Sequence, residues 1–138
     1  MTLLEYDPRV LLAFGEAIRG KKKFSDWLFE NSYPELTALA NAIHSDKSAL
    51  EWLLQGAYPE LGVLSNAIDG EEDAYKWLMK HGYNFYIVFA DACRKKEKAL
   101  LWLKEQKLEI FIRLAVIING ELEQQRKDMY NPHKMFRR

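Results

Sequence analysis

The sequence predicts an all-α protein made of about five tandem helical hairpins, each 25 residues long. The first observation behind this prediction is the spacing of the four tryptophans, Trp27, Trp52, Trp77 and Trp102, which follow one another at intervals of 25 residues. The second is that many apolar residues repeat in the same register. Self-similarity at a fixed period of this length is typical of repeat architectures.

The apolar columns become visible when each Trp is numbered as repeat position 1. Position 2 is always Leu, and positions 10, 13 and 17 are apolar in almost every unit. A divergent copy precedes Trp27, with Leu11, Phe14 and Ile18 in register. Positions 10, 13, 14 and 17 have the i, i+3, i+4, i+7 spacing of an amphipathic helix. The columns contain Leu28, Leu53, Leu78 and Leu103 at position 2, and Leu36, Leu61, Tyr86 and Phe111 at position 10.

Each unit is predicted to contain two short helices. Pro34 and Pro59 stand where the first turn of a helix tolerates proline, and Asp7-Pro8 begins the first copy in the same way. Helices of about ten residues are unstable alone in water, so neighbouring units must stack. The predicted fold is therefore a short α–α solenoid or compact helical array. A tight turn between the two helices is expected at position 19, which is Gly20, Ser45, Gly70, Lys95 and Gly120.

Leucine-rich repeats are the rival fold, because their period of about 20 to 29 residues includes this one. Leu36-x-x-Leu39 and Leu61-x-x-Leu64 match the opening of that consensus. The third consensus Leu, however, is replaced by Asn41 and Asn66, and the segments lack the alternation of a strand. The helical hairpin is therefore the preferred interpretation.

Composition favours one repeat domain over residues 1–126, followed by a basic, aromatic tail over residues 127–138. The formal net charge is zero, which gives no overall preference for nucleic acid. Cys93 is the single cysteine and replaces Ile in an apolar column, so we expect a buried thiol without a disulfide. We see neither a signal peptide nor an apolar run long enough to cross a bilayer, and we expect a cytoplasmic protein without membrane contact.

Catalytic and cofactor motifs are missing from the sequence. There is no glycine-rich phosphate loop and no nucleophile elbow. His44, His81 and His133 form neither a His-x-x-x-His pair nor a Cys/His cluster. We therefore expect no catalytic residues, no metal and no cofactor.

A polar ladder is predicted at position 15, formed by Glu16, Asn41, Asn66 and Asp91. On a helical wheel this position lies opposite the apolar stripe, so stacked units would align the four side chains. The alignment could bind a peptide backbone or a polar ligand, although polar residues on a solvated face are the more common explanation. Glu16 and Asp91 stand three units apart, too far for paired acid–base chemistry in a regular stack.

The turns between paired helices carry uneven charge. Two basic clusters, Arg19 with Lys21 to Lys23 and Arg94 with Lys95, Lys96 and Lys98, are separated by the acidic run Asp69 to Asp73. A continuous basic stripe would favour the phosphate backbone of nucleic acid, and the acidic run interrupts it. Nucleic-acid binding therefore stays a secondary hypothesis.

The outward positions of the last two units become apolar. A helix that is apolar on all sides is usually covered on all sides. Three covers are considered: the chain's own C-terminal segment from Glu121 to Lys127, a second copy in a homodimer, or another protein. The predicted partner-binding or dimer face comprises Tyr83, Phe85, Ile87, Val88, Ile112, Arg113 and Val116.

These observations predict a non-catalytic protein–protein interaction or scaffold module, with self-association as one option. A nucleic-acid-binding helical repeat protein is the alternative hypothesis. An enzyme with a polar pocket along the ladder is the third.

Overall fold

A computed structural model describes residues 2–129, and every regular element in that range is helical. A short 3-10 helix, Leu3–Glu5, precedes the first repeat. The α-helices are α1 (Pro8–Ile18), α2 (Lys22–Glu30), α3 (Pro34–Ile43), α4 (Lys47–Gln55), α5 (Pro59–Ile68), α6 (Glu72–Lys80), α7 (Asn84–Cys93), α8 (Glu97–Glu105) and α9 (Glu109–Met129). The predicted all-α fold of tandem helical hairpins is confirmed.

Helix boundaries follow the predicted local signals. Pro8, Pro34 and Pro59 each occupy the first helical turn, where a missing N–H leaves no bond unmade. At position 19, Gly20, Ser45, Gly70 and Lys95 have φ between 63° and 89°, the left-handed conformation that ends a helix and reverses the chain. Gly120 is the exception. It lies inside α9, so the fifth unit has no turn and its first helix continues for 21 residues.

The hairpins close into a ring. Helices α1, α3, α5, α7 and α9, hereafter the inner helices, each pack against the next, and α9 packs back against α1. Helices α2, α4, α6 and α8, the outer helices, each pack against two successive inner helices. The described repeats thus form a closed array in which the first and last units are neighbours, and the solenoid has no free stacking ends.

The ring's interior holds the predicted apolar columns. Leu36, Leu39 and Ile43 are buried on α3, and the same positions are buried on the other inner helices. Each outer helix contributes the Leu of position 2, which is fully buried in all four copies. Cys93 is also buried, as its column predicts, and burial raises the pKa of its thiol.

Aromatic and apolar residues that repeat at helical spacing are usually core residues, and the tryptophans depart from this expectation. Trp27, Trp52 and Trp102 are exposed, and only Trp77 is half-buried. Trp27 stacks on Tyr33 with ring centroids 6.3 Å apart, and Trp52 stacks on Tyr58 at 6.2 Å. The regular Trp therefore packs flat against the Tyr of position 7 on the outside of the ring, while its Leu neighbour enters the core.

Two chain segments cover the ends of the ring. At the N-terminal end of the inner helices, Leu3 is fully buried and its N–H donates to Tyr86 Oη at 3.1 Å. At the other end, Asn119 Nδ2 donates to the carbonyl of Cys93 at 2.9 Å, and Gln125 Nε2 donates to that of Ile43 at 3.1 Å. The last turn of a helix leaves carbonyls without intrahelical partners, and the long α9 supplies donors to two of them.

Candidate interaction groove

The contact between α9 and α1, hereafter the seam, depends on a glycine. A Cβ atom on Gly15 would lie 3.1 Å from Leu114 Cδ2 and 3.3 Å from Ile117 Cδ1, both on α9. Position 14 is small and buried in every unit, and the other copies are Ala40, Ser65, Ala90 and Ala115. Glycine at the seam lets the side chains of α9 approach the backbone of α1 and close the ring.

The outside of the seam differs from the outside of every other junction between inner helices. Helix α2 fills the groove between α1 and α3, and α4, α6 and α8 fill the next three in turn. In the described chain no helix packs in the same way across α9 and α1. Five inner helices in a ring make five outer grooves, and the four outer helices leave the fifth one open.

Repeat position 11 shows what an outer helix contacts when it fills a groove. Thr37 Oγ1 on α3 donates to the carbonyl of Ser25 on α2 at 3.1 Å. A Cβ atom on Gly62 of α5 would lie 2.7 Å from Leu54 Cδ2 and 3.3 Å from Leu53 Cβ of α4. On α1 the same position is Leu12, which is 43% exposed. The contact position that the other units cover is therefore apolar and open at the seam.

A cavity of about 440 Å³ lies at this open position. Its walls come from α1, α2 and α9, and we call it the seam groove. Val116 follows Arg113 by three residues, which puts it on the same side of α9, and it is 61% exposed. The residues that line the seam groove are Arg9, Leu12, Ala13, Glu16, Lys23, Phe24, Trp27 and Arg113.

Charge in the seam groove is predominantly positive. Arg9, Lys23 and Arg113 line it, against a single lining carboxylate, Glu16, and Arg9 also pairs with Asp7 at 3.4 Å. Glu16 is already paired with Lys21 at 2.8 Å and lies 3.8 Å from Arg19. The hydrogen bond from Lys21, with the charges of Arg19 and Arg113, lowers the pKa of Glu16. The groove thus combines an apolar floor with a basic rim.

Most of the predicted partner-binding face is covered within the chain. Tyr83, Phe85, Ile87, Val88 and Ile112 are half-buried and pack against the core. Tyr83 stacks on Tyr86 with centroids 5.5 Å apart, and Phe85 meets Phe111 edge-on at 5.0 Å. Ile87 and Ile112 occupy position 11, which explains their apolar character, because this position faces an outer helix.

Arg113 and Val116 are the two members of that face that remain exposed. Arg113 lines the seam groove, and Val116 follows it by about one turn on the same side of α9. The apolar run of α9 from Ile110 to Ile118 has a cover that the sequence did not suggest. It packs against the first repeat as well as against α7 and α8. The segment from Glu121 to Lys127 instead continues α9 across the end of the ring.

The four residues of the predicted polar ladder lie on successive inner helices. Asp91 accepts from Tyr75 Oη at 2.8 Å and lies 3.4 Å from Lys96, while Glu16 pairs with its own turn. Asn41 is exposed and Asn66 is half-buried. Within residues 2–129, no hydrogen bond or ion pair joins two of these four side chains. The structure brings none of them together as a reactive pair.

The basic turns are paired with nearby carboxylates. Lys22 lies 2.8 Å from Asp26, and Lys95 lies 2.6 Å from Glu123 on α9. Together with the pairs that Lys21 and Lys96 form, these contacts divide the predicted nucleic-acid surface into local ion pairs. They reduce the free positive charge that a phosphate backbone would meet.

The described residues contain neither a metal-ligating cluster nor a helix that could cross a membrane. No group of three or more His, Cys, Asp or Glu side chains in residues 2–129 could hold a metal ion. His44 Nε2 instead contacts the carbonyl of Ile18, and His81 stacks on Trp77. His133 and most of the predicted tail lie outside the described residues. No helix in the described range has both the length and the hydropathy needed to span a bilayer.

Sequence reasoning missed Arg9, Leu12, Lys23, Phe24 and Trp27 as members of one groove, since the first unit was read as a divergent copy of the repeat. One feature of the sequence distinguishes the first unit. Phe24 occupies position 23, where the later units have Ala49, Ala74 and Ala99.

Comparison with known proteins finds no matching family model, no matching curated protein and no matching solved structure.

Proposed function

We propose that this protein is a non-catalytic protein–protein interaction module and that its seam groove binds an amphipathic α-helix of a partner protein. The observation that carries the proposal is the open fifth groove, in which Leu12 lies exposed at a position that an outer helix covers elsewhere. Exposed apolar residues grouped in a groove are typical of helix-binding sites.

The outer helices indicate the shape of the partner segment. Each contains 9 residues, which is two to three helical turns. Each inserts one Leu that is fully buried, such as Leu53 of α4. A partner helix of about the same length, with a Leu or a similar anchor above Leu12, would extend the existing packing to the fifth groove.

The basic rim determines the preferred charge of the partner. Arg9, Lys23 and Arg113 favour a helix with carboxylates along its edges, since complementary charge increases both specificity and association rate. The chain's own C-terminal segment is a poorer occupant, because Lys134, Arg137 and Arg138 make it basic. An acidic helix from another protein is thus the occupant that the chemistry favours.

Binding of two stapled helical peptides tests the proposal. Both would carry the sequence of α4 with its buried Leu anchor, one with Glu and the other with Lys at the outward positions. Stapling is needed because a free peptide of this length is largely unfolded. We expect the Glu peptide to bind more tightly in a fluorescence anisotropy titration and to lose affinity as salt rises.

Variants locate the binding site. Leu12→Asp and Val116→Asp should each weaken the Glu peptide by about tenfold or more, which corresponds to about 1.4 kcal/mol. Leu101→Asp is the matched control, because Leu101 is 56% exposed on the outer helix α8. Arg113→Glu should shift preference towards the Lys peptide. Equal losses from Leu101→Asp, or no binding of either peptide, would contradict the proposal.

Light scattering tests whether a second copy of the chain occupies the groove. A wild-type dimer that Leu12→Asp converts to a monomer would show that a second copy fills the groove instead of a partner's helix. Ile87→Asp and Ile112→Asp are less useful here, because both residues pack against the core and their loss would also lower stability.

A further inference from the structure

A second cavity, of about 200 Å³, lies at the N-terminal end of the inner helices, where the segment before α1 covers the ring. It is separate from the seam groove and shares none of its lining residues. Its side chains come from the segment before α1, from the turn before α5 and from the first turns of α3, α5 and α7. Those that carry polar or aromatic groups are Thr2, Tyr6, Glu35, Tyr58, Glu60 and Tyr86.

Glu35 is the unusual residue of this cavity. It is 4% exposed, which is rare for a carboxylate without a charged partner. Its Oε2 accepts a hydrogen bond from Tyr6 Oη at 2.5 Å, while its buried Oε1 has no hydrogen-bond partner within residues 2–129. A buried carboxylate without a counter-charge is costly, and a group with positive charge beside it would offset that cost.

The rest of the lining is acidic and aromatic. Glu60 adds a second carboxylate, and among the described residues no Lys, Arg or His lines the cavity. Burial and the hydrogen bond to Glu35 raise the pKa of Tyr6, and burial with the nearby charge of Glu60 raises that of Tyr86. The phenols therefore remain neutral at neutral pH, and they present rings and hydroxyl oxygens without adding further charge.

We propose that this cavity binds an organic ammonium group, held by Glu35 and Glu60 and enclosed by the rings of Tyr6, Tyr58 and Tyr86. Carboxylates and aromatic faces together are the combination that recognises alkylated ammonium ions through charge and cation–π attraction. The remaining walls are Ala57 and Leu61, which suit alkyl substituents better than the water shell of a metal ion.

The size of the cavity limits the ligand to a small head group. Its volume is below the 300 Å³ or so at which pockets for drug-sized ligands begin. The ammonium could belong to a free small molecule or to an alkylated lysine in a peptide. The chemistry recognised is the same in both cases, and the experiment distinguishes the two sources.

A pair of near-isosteric probes tests the charge requirement on the full chain. Choline carries the quaternary ammonium, and 3,3-dimethyl-1-butanol replaces it with a neutral tert-butyl group. We expect choline to shift the NMR signals of the Tyr6 and Tyr58 rings in a saturable titration, and the neutral probe to leave them unchanged. A peptide with a trimethyllysine, titrated in parallel, identifies the source by its relative affinity.

Three variants complete the test. Glu35→Gln preserves the shape of the side chain and should weaken choline binding by about tenfold or more. Glu60→Gln, at a half-buried position, should weaken it as well and guards against a folding defect in the first variant. Glu51→Gln, at an exposed position on α4, should leave binding unchanged. The proposal is overturned if neither ammonium probe binds, if the neutral probe binds equally well, or if both cavity variants retain wild-type affinity.

Discussion

The groove between α3 and α5 and the groove between α9 and α1 are built from equivalent helices, yet one is filled and the other is open. In the first, α4 packs so closely that Gly62 has no room for a Cβ atom. In the second, Leu12 stands at the same repeat position and is exposed. The inner helices alone close the ring, and the outer helices cover its outer surface. One groove can therefore stay open for binding without opening the core.

The largest expected effect comes from removing the anchor of a filled groove. Leu53→Ala should reduce the free energy of unfolding by about 2–5 kcal/mol, because the side chain is fully buried and its loss leaves a cavity. Leu12→Ala, in the open groove, should change stability by less than about 0.5 kcal/mol. Urea unfolding followed by circular dichroism measures both.

The same pair tests whether the seam groove is free in solution. A loss from Leu12→Ala as large as that from Leu53→Ala would mean that something covers Leu12. In that case the stability of the wild type should also depend on protein concentration if the cover is a second copy.

The next effect concerns the seam itself. Gly15→Val should destabilise the protein by about 1–3 kcal/mol, because the added methyl groups would collide with Leu114 and Ile117. Gly120→Ala is the matched control. Gly120 also lies in a helix, has nothing within 4 Å of its missing Cβ, and should gain up to about 1 kcal/mol from better helix propensity.

Reactivity of Cys93 provides a second measurement of this contrast. The thiol is fully buried, so a thiol reagent reaches it only when the structure opens. Gly15→Val should speed the reaction and Gly120→Ala should slow it. Equal stability and equal reactivity in the two variants would show that close contact between α1 and α9 contributes little to the fold.

Local features of the fold were predictable because they depend on residues close in sequence. The 25-residue period, the proline at helix starts and four of the five turns at position 19 follow from such signals. Ring closure could not be predicted from such signals, because it depends on the small rotation between successive units, which adds up over the whole array. The turn predicted at Gly120 failed for a related reason: α9 gains more by continuing over the end of the ring, where Asn119 and Gln125 bond to open carbonyls.

The sequence predicted only the α9 side of the candidate site. Arg113 and Val116 could be identified because α9 departs from the repeat pattern there. Leu12 and Phe24 could not be identified in this way, because the first copy departs from the repeat at many positions. Nothing in the sequence showed that the first and last units are in contact. The sequence also could not reveal the buried Glu35, since position 9 is Glu in two units and reads as an ordinary first-turn acid.

The smallest predicted effect tests whether a change in the stability of the fold also changes peptide binding at the seam groove. Position 6 has a left-handed conformation before three of the inner helices, with Ser32 at φ 71° before α3, Gly82 at φ 77° before α7 and Lys107 at φ 59° before α9. Lysine pays a steric cost there that glycine avoids, partly offset by the greater freedom of glycine in the unfolded chain. Lys107→Gly should therefore stabilise the protein by about 0.5–1 kcal/mol, and Gly82→Ala should destabilise it by a similar amount.

Neither residue lines the seam groove, so both variants should bind the acidic peptide as the wild type does while their melting temperatures move in opposite directions. A change in peptide affinity that follows the change in stability would indicate that the groove forms only as the ring tightens. The open groove would then be a property of the whole closed array, and Leu12, Arg113 and Val116 alone would not account for binding.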